Sequence, residues 1–186
     1  TEASETSHLS SQIYLMTSGT TGVPKAVVIN ADKLWSSAKA FVQFYQIEKT
    51  SYRFWNYLPM SYLAGFYNLA LIPLCCEGSF VITEPFSGKM MLNFWDIVES
   101  NNINALWFVP SIIQGILKIN NIVKNQNQCA YGEKIKIAFL GTAPIQLDIK
   151  KKFEKSFGIR LYENFASSEA VFLTVEDEFN IQFREQ

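Results

Sequence analysis

The chain has 186 residues, 48% apolar and 18% charged, and its 16 basic and 17 acidic side chains leave a net charge of −1. That size supports one domain with a sizeable core, and the even charge gives no ground for nucleic acid or an anionic membrane as partner. The only histidine, His8, lies in a polar leader, which argues against His-based nucleophilic triads and His-rich metal sites.

Residues 1–12 read as that leader, polar from the start and unlike a signal peptide, and residues 13–186 as a single α/β unit. Apolar stretches at 13–16 and 26–29 predict strands flanking a polar loop. Asp32 is placed to cap a helix whose face carries Leu34, Ala38, Phe41, Val42 and Tyr45 at helical spacing. Residues 53–58 predict a strand ending at Pro59, and 65–76 a helix kinked at Pro73 with Gly78 as its stop. The longest apolar run, 66–76, is interrupted by Asn68 and Pro73 and is too short to span a membrane.

A strand at 79–83, a helix at 92–100 and a continuous apolar strand at 105–109 follow, and Ser111 is placed to cap a helix reaching about residue 120. Residues 120–134 read as a polar loop, 135–140 as strand, 145–157 as helix stopped by Gly158, and 159–162 as strand. The lysines of residues 150–155 are expected on a solvated helix face. Cys75, Cys76 and Cys129 lack metal-ligand spacing and read as reduced, structural thiols of a cytoplasmic protein. Strand–helix alternation with near-continuous apolar strands predicts a mostly parallel sheet with helices on both faces, and ligands at the carboxyl ends of its strands.

Residues 17–25, TSGTTGVPK, carry the chemistry. Gly19 and Gly22 let backbone N–H groups approach a ligand closely. Thr17, Ser18, Thr20 and Thr21 offer hydroxyl donors, and Lys25 offers a point charge suited to polyphosphate. Two residues between the glycines and Pro24 before the lysine exclude a Walker A loop, and the run is not a GxGxxG fingerprint. The plain alternative is a Ser/Thr-rich surface turn.

The order Ser-Gly-Thr-Thr-Gly-x-Pro-Lys resembles the phosphate-binding signature of the adenylate-forming superfamily of acyl-CoA synthetases, peptide-synthetase adenylation domains and luciferases. Four more stretches resemble that family in its order: YLPMSYLAG (57–65), FVPSII (108–113), FLGTAPI (139–145) and NFASSE (164–169). The resemblance implies that Thr17, Ser18, Thr20, Thr21 and Lys25 bind the β- and γ-phosphates of ATP, with Gly19 and Gly22 shaping the loop. It implies that Gly141, Thr142, Ala143 and Pro144 wall the adenine while Phe165 stacks on it in place of a tyrosine. Ser168 would contact the α-phosphate and Glu169 would bind Mg²⁺. Tyr62 replaces a histidine and, with Gly65, Phe66 and Tyr67, would line the acyl pocket. Ala166 replaces a glycine.

The activity so implied is attack of a carboxylate on the α-phosphorus of ATP, expelling pyrophosphate. The acyl group then passes to coenzyme A or a phosphopantetheine arm, with a carrier protein as a further candidate partner. Lys25, Ser168 and Glu169 are the expected catalytic set. No aspartate occurs between residues 55 and 88, which favours a fatty or aromatic acid over an amino acid. The start without Met and the charged end suggest a piece of a longer protein, expected to be inactive alone. The alternatives are a non-catalytic nucleotide-binding or docking module of the same fold, an amino-acid adenylation domain, and an unrelated phosphate-binding α/β protein.

Overall fold

A computed structural model describes residues 11–17, 25–47, 52–123, 130–167 and 171–175. Strands β1 (Gln12–Thr17) and β2 (Lys25–Asn30) pair antiparallel in a ribbon of their own, in register from Gln12↔Asn30 to Thr17↔Lys25. Alternation turns Ile13, Leu15, Val27 and Ile29 to the core and leaves Tyr14 and Val28 outside. The signature run therefore joins the two arms of a hairpin.

Helix α1 (Ala31–Phe44) follows directly. Its cap is Asn30 rather than the expected Asp32: Asn30 is extended, and its Oδ1 accepts from the Asp32 N–H at 2.8 Å and the Lys33 N–H at 3.4 Å.

Six strands form the main sheet: β3 (Arg53–Asn56), β4 (Ser79–Ile82), β5 (Ala105–Phe108), β6 (Ile137–Leu140), β7 (Tyr162–Ser167) and β8 (Val171–Val175). Their order is β4-β3-β5-β6-β7-β8, parallel throughout except for the β7–β8 pair. This is the anticipated mostly parallel α/β architecture. The last expected strand, 159–162, lies later, and β8 was not foreseen. In the β7–β8 ladder Phe165 pairs with Thr174 but Ala166 pairs with Phe172, so Leu173 is skipped in a bulge.

The expected helix at 65–76 is a π-helix, Ala64–Leu71, running into α2 (Ile72–Cys75). Pro73 falls at the start of α2, where the segment passes from π to α geometry. The helix expected at 92–100 is two pieces, α3 (Gly88–Leu92) and α4 (Phe94–Ser100), divided at Asn93. Helix α5 (Pro110–Val123) starts before Ser111 and enters the stretch read as loop, which also holds α6 (Ala130–Lys134). Helix α7 (Leu147–Phe157) ends as expected at Gly158, left-handed at φ 67° with its N–H on the Glu154 carbonyl at 2.9 Å.

Alternate strand residues feed two cores. Trp55, Leu106, Phe108 and Leu140 meet Phe94 of α4, Ile113 of α5, and Phe153 and Phe157 of α7. Phe54, Ala105, Trp107 and Phe139 meet Leu34 and Phe41 of α1, Tyr67 and Leu69 of the π-helix, and Ile72 of α2. Helices thus cover both faces. One lysine expected in solvent is inside: Lys150, 5% exposed, shares the inward face of α7 with Phe153 and Phe157 at i, i+3 and i+7.

Candidate active site at the carboxyl edge of the sheet

Because β3, β5, β6 and β7 run parallel, their carboxyl ends share one edge, and the loops leaving it carry most of the motifs. After β6, the Gly141 N–H donates to the Phe108 carbonyl at 3.1 Å, and a Cβ at Gly141 would lie 2.5 Å from Asn164 Oδ1. A larger residue here would have to displace the Asn164 side chain. Thr142 then sits at φ 72°, an uncommon conformation for a β-branched residue and a local strain of the kind found at ligand sites. Thr142, Ala143 and Pro144 present an exposed wall, and Phe165 on β7 holds its ring 62% exposed.

A cavity of about 100 Å³ brings Tyr62, Tyr67 and Asn68, from the turn before the π-helix and from the helix itself, against Thr142, Asn164 and Ala166. Tyr62 is 51% exposed at its rim. Burial pushes the Tyr67 phenol up to about 12, so it is a neutral donor, given to Ser37 Oγ at 2.8 Å.

Gly65 and Phe66 do not line this cavity. A Cβ at Gly65 would stand 2.2 Å from the Pro59 carbonyl oxygen, so that glycine serves a close backbone approach; Phe66 packs on the α1-side core. Asn56 fastens the same turn, its Nδ2 donating to the Gly65 carbonyl at 3.1 Å.

Thr17 and Lys25 face each other across the end of the β1–β2 hairpin as Cα partners. Ser18, Gly19, Thr20, Thr21 and Gly22 lie outside the described residues, as do Ser168 and Glu169. Cys76 is buried, its Sγ donating to the Pro73 carbonyl at 3.2 Å, and burial pushes the Cys75 and Cys76 thiols up; Cys129 lies outside the described residues.

Sequence reasoning did not single out three residues, two of them at the cavity. Asn164 and Asn68 both line the cavity; the signals were that Asn164 opens the NFASSE stretch and that Asn68 interrupts an apolar run. The third is Lys150, whose Nζ lies 3.3 Å from Glu163 Oε1, both side chains largely buried, tying α7 to β7 on the other side of the sheet. Its signal was helical spacing with Phe153 and Phe157.

A sequence profile described as AMP-binding enzyme matches residues 3–185. The chain belongs to this family. Within it, the chain is 26% identical over 174 residues to long-chain fatty acid transport protein 2 of Rattus norvegicus, covering 89% of this chain and 25% of that protein. It is 25% identical over 163 residues to the mitochondrial malonate–CoA ligase of Bos taurus, covering 84% and 28%. The fold superimposes on a malonyl-CoA ligase with methylmalonyl-CoA and AMP bound, with a TM-score of 0.74 at 22% identity, covering 87% of this chain and 34% of that one. It also superimposes on ATP-bound MatB from Rhodopseudomonas palustris, with a TM-score of 0.72 at 20% identity, covering 88% and 30%. The chain thus spans about a quarter of the length of the curated relatives it matches. Among the described residues of this AMP-binding family member, no helix is long and apolar enough to cross a membrane.

Proposed function

We propose that the full-length protein activates a carboxylic acid with ATP, forming an acyl adenylate and pyrophosphate, and passes the acyl group to a thiol of coenzyme A or phosphopantetheine. The observation that carries this reading is the edge itself. A strained, exposed wall at Thr142–Pro144, a solvent-facing Phe165 ring and a cavity rimmed by Tyr62 meet where parallel strands end, in a chain whose family match covers residues 3–185.

The roles follow from the chemistry of each group. The purine lies between the backbone of 141–144 and the Phe165 ring, an arrangement that needs a flat apolar face and no hydroxyl. Thr17, Ser18, Thr20, Thr21 and Lys25 grip the β- and γ-phosphates and hold the leaving pyrophosphate, neutralising charge where two anions must meet. Ser168 donates to the α-phosphate. Glu169 offers the single carboxylate that suits Mg²⁺, an ion that completes its shell with phosphates and water and would offset the charge on them. No side chain acts as general base, since an ionised carboxylate is already the nucleophile.

The aromatic rim favours a fatty or aromatic acid over an amino acid. The test is acid-dependent pyrophosphate exchange by the full-length protein against a panel of carboxylic acids. Exchange with at least one acid, lost on Lys25→Ala, is expected. Nucleotide binding without exchange for any acid would replace this reading with that of a non-catalytic nucleotide-binding module.

A further inference from the structure

Helix α7 grips the entry to β7 from two positions one helical turn apart. Glu154 Oε1 accepts from the Leu161 N–H at 2.9 Å, and the Lys150 ammonium lies 3.3 Å from Glu163 Oε1. Leu161 is fully buried, whereas no side chain of β7 itself, from Tyr162 to Ser167, is. Strand β6 pairs with β7 at Tyr162 and Glu163 and ends at Leu140. Past Glu163 the ladder partner of β7 is β8, and that ladder shifts register between Phe165 and Ala166. Glu163 is therefore the point at which the main sheet releases β7.

Phe165 comes two residues later. Tyr162 packs on the α1-side core and Asn164 lines the cavity on that side, so alternation turns Glu163 and Phe165 together toward the α7 face. A buried apolar set pins most strands, because a one-residue slip would expose it; β7 has no such set. The charge pair supplies the missing control. Its side chains are largely buried. A buried ion pair gives little stability over packed apolar side chains, but it attracts at one point, and fixing register is its best-attested use. One residue bulged out between Leu161 and Phe165 would pull Glu163 away from Lys150 or turn the Phe165 ring to the opposite face.

We propose that Lys150 and Glu163 are positioning residues for nucleotide binding, fixing the face of β7 from which Phe165 presents its ring to the purine. This rests on the proposed contact between Phe165 and the purine, and makes ATP affinity depend on a pair that touches no substrate.

The test is titration of the full-length protein with ATP and with inorganic tripolyphosphate, which carries the phosphates without the purine. In K150M/E163L, the ATP Kd should rise about tenfold, as in F165A, while the tripolyphosphate Kd and the denaturant midpoint stay near wild type. Adding F165A to the pair variant should cost no further affinity, since residues that act through one another are not additive. Should K150M/E163L not fold, E163Q carries the test: it keeps the shape and an acceptor for the ammonium, and ATP alone should weaken, by about threefold. Wild-type ATP affinity in the folded pair variant, equal loss of both ligands, or full additivity with F165A would overturn the inference and leave the Phe165 contact standing. Wild-type ATP affinity in F165A would instead remove that contact, and the inference with it.

Discussion

On the α7 side of the sheet, the indole of Trp55 donates to Thr83 Oγ1 at 2.9 Å, the Tyr57 hydroxyl donates to the Trp107 carbonyl, and the buried charge of Lys150 has Glu163 at 3.3 Å. On the α1 side, which shares the same strands, Asn56 Oδ1, Trp107 Nε1 and Asn164 Nδ2 are buried without partners among the described residues. The π-helix packs on that second side, and Thr142 and Val171, both left-handed at φ 72° and 60°, line the cavity there. Among the described residues the buried unpaired polar atoms thus lie on the side of the sheet that carries the cavity.

The largest effect should come from breaking the packed side. Lys150→Met removes the ammonium 3.3 Å from the largely buried Glu163 carboxylate and should cost about 3–5 kcal/mol, read as a lower denaturant midpoint with unchanged m. The double variant K150M/E163L should recover most of that loss. A single-variant cost below about 1 kcal/mol would mean that the pair does not anchor α7 to β7.

Next comes the side that carries the site. Gly65→Ala drives a Cβ to 2.2 Å from the Pro59 carbonyl, and backbone cannot swing aside as a side-chain tip can. We expect about 1–3 kcal/mol of destabilisation together with reduced adenylate formation. Gly88→Ala, where nothing lies within 4 Å, is the control expected to leave both unchanged. Equal effects of the two would remove the tight turn at residues 59–65 from the account.

The smallest and sharpest comparison pairs the two tryptophans. Trp55→Phe forfeits the bond to Thr83, whereas Trp107→Phe removes a donor that has no partner; both lose similar ring volume in fully buried positions. Trp55→Phe should be the more destabilising by about 1 kcal/mol in equilibrium unfolding. Equal costs would show the polar asymmetry of the two faces to be energetically silent.

Much of this was legible in the sequence wherever one local rule dominates. The buried strands 105–108 and 137–140 read as continuous apolar runs, and the left-handed Gly158 marked the end of α7. Reading failed where two rules compete. Asn30 and Asp32 can both cap a helix, and the extended backbone at Asn30 decided between them. Lys150 carries the composition of a surface position and the spacing of a core one, and a partner on β7, distant in sequence, settled it. The motif residues 141–144 follow β6 directly and Phe165 lies within β7, but nothing local in Asn68 or Asn164 announced that they would line one cavity. That meeting depends on how the π-helix crosses the ends of β6 and β7.

The skipped Leu173 has an effect beyond its own strand. With regular alternation counted back from Val175, which packs against the α1-side core, the side chain of Leu173 would point inward; the skipped residue hands that place to Phe172, which stacks on Phe41 at 4.5 Å and walls the cavity. The cavity's wall can therefore be exchanged by inserting or deleting one amino acid in β8, with every neighbouring codon untouched. Divergence in this part of the chain can alter the chamber through frame along a strand as readily as through replacement of side chains.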